Sequence, residues 1–149
     1  MGKAARMSKK TLERNFFQRL LGRCATPEPA DSTCWKYVDS EITLFLSKTP
    51  ELSEPGSGVR LEGEALPERL LVVHGTNGQF LAFRNRCGHG GRRMDPMPDQ
   101  PNVQCCSLGK TTCDYEGKVL SGAARESLKA YPVEFQGDIL IIQLSDHDA

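Results

Sequence analysis

From Cys34 onward the chain consists of short β-prone runs that alternate with turn residues, and this pattern limits the folds open to it. The runs are three to five residues long, and most are rich in branched and aromatic side chains. They cover residues 35–38, 42–46, 70–73, 80–83, 103–105, 118–120 and 139–142. Asn77-Gly78, between the third and fourth runs, is a strong hairpin signal. Many short strands at close spacing predict an all-β antiparallel sandwich or barrel.

The composition is that of a globular protein without a polyanionic partner. The 149 residues include 19 Lys plus Arg and 19 Asp plus Glu, so the formal net charge is zero. A nucleic-acid-binding domain usually shows a clear basic excess. No stretch approaches the roughly 20 apolar residues that cross a bilayer, and the basic start lacks the apolar region of a secretory signal. We therefore expect a cytoplasmic protein with no transmembrane segment and no nucleic-acid partner.

Residues 1–33 differ from the rest and predict a helix followed by a linker. Apolar residues recur there at helical spacing, and basic and polar residues lie between them. The apolar residues are Leu12, Phe16, Phe17, Leu20 and Leu21. Gly22 suits a helix end, and residues 25–31 have the composition of a linker. A basic amphipathic helix packs on its own domain, which is the commoner arrangement, or contacts a membrane surface or a partner. We assign residues 1–33 to this appendage and residues 34–149 to the β-domain.

Four of the six cysteines fall within 27 residues, close to His89 and several glycines. In a cytoplasmic chain such clustering indicates a metal centre more often than disulfides. Residues 86–91 read Arg-Cys-Gly-His-Gly-Gly, so Cys87 and His89 present a thiolate and an imidazole from one tight turn. The glycines let backbone N–H groups approach inorganic sulfur, as iron–sulfur sites require. A second loop begins at Cys105-Cys106, and 16 residues separate His89 from Cys106.

These loops and their surroundings resemble the Rieske [2Fe–2S] family, which carries Cys-x-His in one loop and Cys-x-x-His in a second. In that family the cysteines hold one iron and the histidines hold the other. Other resembling features are Asp114 followed by Gly117, Leu-Lys-Ala-Tyr-Pro-Val at 128–133 and Gly-Asp-Ile at 137–139. The resemblance covers roughly residues 35–144. It implies a Rieske-like antiparallel sandwich into which a cluster-binding subdomain, made of two loops and a short sheet, is inserted.

The second loop departs from the family pattern. The departures are Ser107, Gly109, Lys110 and Cys113, where the family usually has Pro, His, Gly and an aromatic residue. Glycine has no side chain, so Gly109 cannot be a ligand. His74 at a strand end and His147 in an acidic tail are not placed to replace the missing histidine.

Three interpretations of the site stay open. In the first, Cys87, His89 and Cys106 hold the cluster and Cys113 or Cys105 supplies the fourth ligand, which lowers the reduction potential. In the second, the fourth position is open to solvent or a small ligand. In the third, the cluster is lost and the fold serves as a scaffold. Three ligand-type residues in register favour a bound cluster. A zinc site on these cysteines is a further alternative, but the spacing is unusual for zinc.

The remaining cysteines and arginines carry weaker hypotheses. Cys105 is expected to be a buried strand-end thiol, because a vicinal disulfide with Cys106 is strained. Cys24 and Cys34 are expected to be ordinary free thiols. Around the first loop lie four arginines, which either attract an acidic redox partner or form a solvated rim. They are Arg84, Arg86, Arg92 and Arg93.

The function predicted from these features is one-electron transfer through a [2Fe–2S] cluster, as a ferredoxin-like carrier or small redox subunit. Its partner would be a reductase or an oxygenase. No Ser-His-Asp arrangement, phosphate loop or carboxylate pair indicates a stand-alone catalyst. The alternative is a cluster-free Rieske-fold accessory subunit of a larger reductase or oxygenase.

Overall fold

A computed structural model describes residues 24–87, 91–106, 110–122 and 126–144. The predicted N-terminal helix and His147 lie outside the described residues, as do His89, Ser107 and Gly109. Within these ranges the chain forms twelve strands and two 3-10 helices, Leu46–Lys48 and Pro50–Leu52. The strands are β1 (Trp35–Val38), β2 (Glu41–Phe45), β3 (Ser57–Leu61), β4 (Leu70–His74), β5 (Phe80–Arg84), β6 (Met94–Pro96), β7 (Asn102–Cys105), β8 (Thr112–Asp114), β9 (Val119–Ser121), β10 (Ala130–Tyr131), β11 (Val133–Gln136) and β12 (Ile139–Gln143).

The strands form three antiparallel sheets of four strands each. The first sheet has the order β1-β2-β12-β11, the second β10-β5-β4-β3, and the third β6-β7-β8-β9. The hairpin predicted at Asn77-Gly78 joins β4 to β5, with His74 opposite Phe80, and Gly78 adopts a φ of 89°. The all-β prediction is confirmed.

The second sheet is the central layer, because β4 is buried on both faces. Alternate side chains of a strand point to opposite faces. Leu70 and Val72 pack with Ile42 and Leu140 of the first sheet. Leu71 and Val73 instead pack with residues of the third sheet and its flanks. This accounts for the unbroken apolar run of β4, which a strand covered on one face does not need.

The third sheet is an insertion between β5 and β10, as the Rieske-like prediction required. Residues 88–90 lie in the connection from β5 to β6, and residues 107–109 in the connection from β7 to β8. Met94 of β6 pairs with Cys105 of β7, so both connections leave the sheet at the same end. The antiparallel pairing therefore brings the two predicted loops together.

Residues 24–27, in the predicted linker, lie against the second and third sheets. The backbone N–H groups of Ala25 and Thr26 donate to the buried carboxylate of Asp95. Arg60 donates its backbone N–H to Pro27 O and its Nε to Thr26 O. In the part of the chain that the structure describes, no helix has the length and apolarity to cross a bilayer.

Candidate metal centre

Cys87 and Cys106 are hydrogen-bonded to two consecutive residues, Arg92 and Arg93, which directly precede β6. Cys87 N donates to Arg92 O at 2.7 Å, and Cys106 N donates to Arg93 O at 3.0 Å. Both thiol residues are buried, with 2% and 0% of their surface exposed. The backbone thus brings Cys87 and Cys106 to neighbouring carbonyl groups at the start of β6, away from water.

The first loop is held by a turn and by an arginine that the sequence did not single out. Gly91 N donates to Cys87 O at 3.0 Å, and Gly91 has a φ of 68°, a left-handed conformation that favours glycine. Arg69 donates to Asn85 O and to Gly91 O at 2.8–3.1 Å. One guanidinium therefore spans both ends of the first loop.

Asn85 is fully buried beside this loop, and its side-chain amide is only partly hydrogen-bonded. Its Oδ1 accepts a hydrogen bond from Met94 N at 2.7 Å, while Nδ2 has no hydrogen-bond partner among the residues that the structure describes. The N–H of Met94 fixes the orientation of the amide, because a rotated amide would place two donors face to face. An unsatisfied buried donor costs about 1–3 kcal/mol of stability, so an acceptor bound next to Nδ2 would be favourable. Sequence reasoning missed Asn85, since a polar residue at a strand end carries no distinctive signal.

Cys105 and Cys113 belong to an apolar cluster beside the third sheet. This cluster also contains Cys87, Met94 and Val103. Cys113 pairs with Val103 on β7, and burial raises the pKa of its thiol. None of the six cysteines forms a disulfide, so Cys105 and Cys106 are not joined, and Cys24 and Cys34 are thiols as expected.

The four arginines near the first loop fall into two kinds. Arg84 forms an ion pair with Glu68 at 3.5 Å, and Arg93 forms one with Glu62 at 2.6 Å. The Arg93–Glu62 hydrogen bonds lower the pKa of Glu62 and raise that of Arg93. Arg86 and Arg92 are exposed, and neither forms an ion pair with another described residue. Of these four arginines, Arg86 and Arg92 therefore present uncompensated positive charge to solvent.

The side chains at the two loops fit one half of the predicted cluster. In the described ranges no three His, Cys, Asp or Glu side chains are grouped closely enough to hold a metal ion. Two buried thiols on adjacent loops, with an unpartnered N–H beside one of them, nevertheless suit the thiolate half of an iron–sulfur group. His74 is not available, because it stacks on Phe80 at 4.4 Å and its Nδ1 lies 2.8 Å from Leu52 O.

Comparison with known proteins decides the family. No family model matches the chain. It is 31% identical over 90 residues to the 3-phenylpropionate/cinnamic acid dioxygenase ferredoxin subunit of Escherichia coli (strain K12), covering 57% of this chain and 85% of the relative. The corresponding subunit of Shigella flexneri serotype 5b (strain 8401) matches equally. The chain belongs to the Rieske-type ferredoxin family. Its role is Rieske-type electron transfer.

Solved structures agree on the Rieske fold. The ferredoxin of carbazole 1,9a-dioxygenase from Nocardioides aromaticivorans IC177 matches with a TM-score of 0.56 and 17% identity, covering 69% of this chain and 95% of that one. A complex of the oxygenase and ferredoxin of carbazole 1,9a-dioxygenase matches with a TM-score of 0.59 and 22% identity, covering 75% of this chain and 30% of that one. The Rieske ferredoxin fold is therefore supported by sequence and by architecture.

Proposed function

We propose that this Rieske-type chain is a one-electron carrier with a [2Fe–2S] cluster held by Cys87, His89 and Cys106. The observation that carries the proposal is the pair of buried thiols joined through Arg92 and Arg93. A bound cluster of this kind supplies reversible one-electron chemistry. The protein contributes burial of the thiols, the arginine that spans the first loop, and backbone N–H groups of the glycine-rich turn.

The fourth ligand is a choice between Cys113, Cys105 and an exogenous molecule. Cys105 is the last residue of β7, and Cys106 follows it in a bend. Cys105 and Cys113, one strand apart, pack in one apolar cluster, and the proposed ligand Cys87 belongs to that cluster too. This packing therefore excludes neither thiol, and substitutions must separate the three candidates.

The partner we propose is an oxygenase or a reductase that docks at the two loops. The relatives are named as ferredoxin subunits of a dioxygenase, which supports a partner of this class. Arg86 and Arg92 flank the first loop and Lys110 follows the second, and all three are exposed. Such a basic rim attracts an acidic docking surface. We also propose a cytoplasmic location, in keeping with six cysteines that form no disulfide.

A second candidate is a cluster-free accessory subunit with the same fold. The observation in its favour is Gly109, which removes one of the family's four ligands. Iron and acid-labile sulfide assays on anaerobically purified protein, with visible absorption and electron paramagnetic resonance of the reduced form, separate the two candidates. A colourless, iron-free protein from iron-replete cells would establish the second.

Substitutions locate the cluster. Cys106→Ser and Cys87→Ser are expected to abolish iron binding, because each removes a proposed thiolate. Cys34→Ser is the matched control. Cys34 is equally buried, but it lies just before β1 and its O accepts a hydrogen bond from Phe45 N of the first sheet. Cys105→Ser and Cys113→Ser should keep their iron if the fourth ligand is exogenous. Loss of iron in either would assign that cysteine as the fourth ligand.

A further inference from the structure

Asn85 and Cys106 bind opposite edges of one peptide group. The N–H of the Arg93–Met94 peptide donates to Asn85 Oδ1, and its C=O accepts from Cys106 N. In a trans peptide these two groups point in opposite directions. The Asn85 amide therefore lies on the side of β6 that faces the first loop, where Cys87 is bonded to the neighbouring Arg92.

Hydrogen bonds fix both the backbone and the side chain of Asn85. Asn85 N donates to Arg69 O at 2.8 Å, Asn85 O accepts from the Arg69 guanidinium, and Oδ1 is held by Met94. The side chain is 0% exposed, so water does not reach Nδ2 from bulk solvent. Within the described residues, the Nδ2 amino group with its two N–H donors stays unsatisfied, two residues before the proposed ligand Cys87.

We propose that Asn85 Nδ2 donates a hydrogen bond to a sulfur atom of the bound cluster and thereby raises its reduction potential. This inference rests on the proposed function, because it supplies the acceptor that the buried donor lacks. Hydrogen bonds to sulfur are one of the means by which a protein sets the potential of an iron–sulfur centre. Reduction adds negative charge to the cluster, so an N–H donor stabilises the reduced form more than the oxidised form.

The acceptor is sulfur rather than a trapped water for a chemical reason. The donor lies beside a loop whose proposed role is to bring thiolate and sulfide into a buried place. Sulfide and thiolate carry negative charge, and a charged acceptor strengthens a hydrogen bond about two-fold over a neutral one. Asn85 is thus a positioning residue of the centre and not one of its ligands.

The test measures the midpoint potential of full-length, cluster-loaded variants by spectroelectrochemical titration. Asn85→Asp keeps the acceptor for Met94 N but removes the donor, and Asn85→Ala removes the donor without adding charge. At the midpoint potential of the wild type, Asn85→Ala is expected to lower the ratio of reduced to oxidised cluster about five-fold, the equivalent of one ordinary hydrogen bond. Asn85→Asp should lower this ratio at least as much, because it also adds negative charge. Asn102→Asp, at the opposite end of the third sheet, is the matched control and should leave the ratio unchanged.

Further readouts separate the possible failures. Iron content and the unfolding midpoint of the cluster-free form show whether each variant still folds and loads. If Asn85→Asp lowers the potential but Asn85→Ala does not, the effect is one of charge and the hydrogen bond is refuted. Unchanged potentials in both variants refute it as well. A wild-type protein that takes up no iron refutes the proposed function itself, and the role of Asn85 is lost with it.

Discussion

Thr26 donates its side-chain O–H to Asp95 over 2.5 Å, and this contact fastens the segment before β1 to the third sheet. The same carboxylate accepts the backbone N–H groups of Ala25 and Thr26 at 3.0–3.1 Å. Asp95 is 1% exposed and lies two residues after Arg93, to which Cys106 is bonded. The segment that leads to residues 1–23 is therefore attached close to the candidate metal centre.

Asp95→Ala is expected to destabilise the protein by about 3 kcal/mol, because it leaves two backbone N–H donors and a hydroxyl without their charged acceptor. Thr26→Val removes only the hydroxyl donor and should cost about 1 kcal/mol. Chemical denaturation monitored by Trp35 fluorescence measures both. Equal losses in the two variants would show that the carboxylate is not the centre of this attachment.

Gly117 and Gly78 share a conformation but differ in surroundings, which gives a matched pair. Their φ angles are 90° and 89°, a region that L-residues rarely adopt. A Cβ on Gly117 would overlap the carbonyl of Leu128, whereas a Cβ on Gly78 would meet nothing within 4 Å. Gly78→Ala should cost about 1–2 kcal/mol from the backbone alone. Gly117→Ala should cost clearly more in the same denaturation experiment. Equal costs would contradict the close approach of Leu128.

The backbone conformation of Lys110 accounts for the glycine that the Rieske family usually has at this position. It has a φ of 51°, in the left-handed region, and it directly follows the part of the second loop that contains Gly109. Lys110→Gly is expected to stabilise the protein by about 0.5–1 kcal/mol, since glycine adopts this conformation without steric cost. Lys118→Gly, at an exposed lysine without a positive φ, is the control and should not stabilise.

The sequence predicted the strands that carry their own apolar pattern and missed those that depend on their neighbours. β4 and β12 are runs of branched residues, so their strands were predictable. β6 contains Asp95 and Pro96, and β8 is Thr-Cys-Asp, so neither has a β-type pattern. These two strands exist because β7 pairs with both of them. Pairing between distant segments is not encoded in local periodicity.

The sequence suggested the candidate ligands, which stay a prediction, but it did not suggest the residues that support them. Cys87 and Cys106 stood out through their spacing and their family resemblance. Asn85, Arg69 and Asp95 act through hydrogen bonds to backbone groups that only the folded chain brings near. A buried polar side chain gives the same sequence signal as an exposed one. The supporting residues therefore needed the structure.

Glu62 should make stability depend on pH in the acid range. Hydrogen bonds from Arg93 at 2.6 and 2.9 Å hold the pKa of Glu62 below its ordinary value of 4.5. A lowered pKa in the folded state stabilises the protein above pH 4.5, and this contribution is lost as the pH falls through the folded pKa.

Glu62→Gln is therefore expected to cost about 1 kcal/mol at pH 7, as for a partly exposed ion pair. The difference from the wild type should shrink as the pH falls from 5 towards 3. Denaturation at several pH values measures this difference, and Glu64→Gln at an exposed glutamate is the control. A gap between Glu62→Gln and wild type that stays constant down to pH 3 would rule out this linkage.

Gly109→His restores the ligand that the Rieske pattern places in the second loop. An imidazole in place of a thiolate or hydroxide would lower the negative charge of the centre, so the reduction potential should rise, on the order of 100 mV. The visible and electron paramagnetic resonance spectra should move towards those of a two-histidine Rieske centre. Because Lys110 follows in a strained conformation, the double variant Gly109→His/Lys110→Gly should bind the cluster at least as firmly as the single one.

Gly109→Ala is the control, since it adds a side chain without a donor atom and should leave the spectrum as in the wild type. If the histidine variant bound iron with unchanged potential and spectrum, position 109 would not face the cluster. The alignment of the second loop on Cys106 would then be wrong, and the fourth ligand would have to be sought between Cys105 and Cys113.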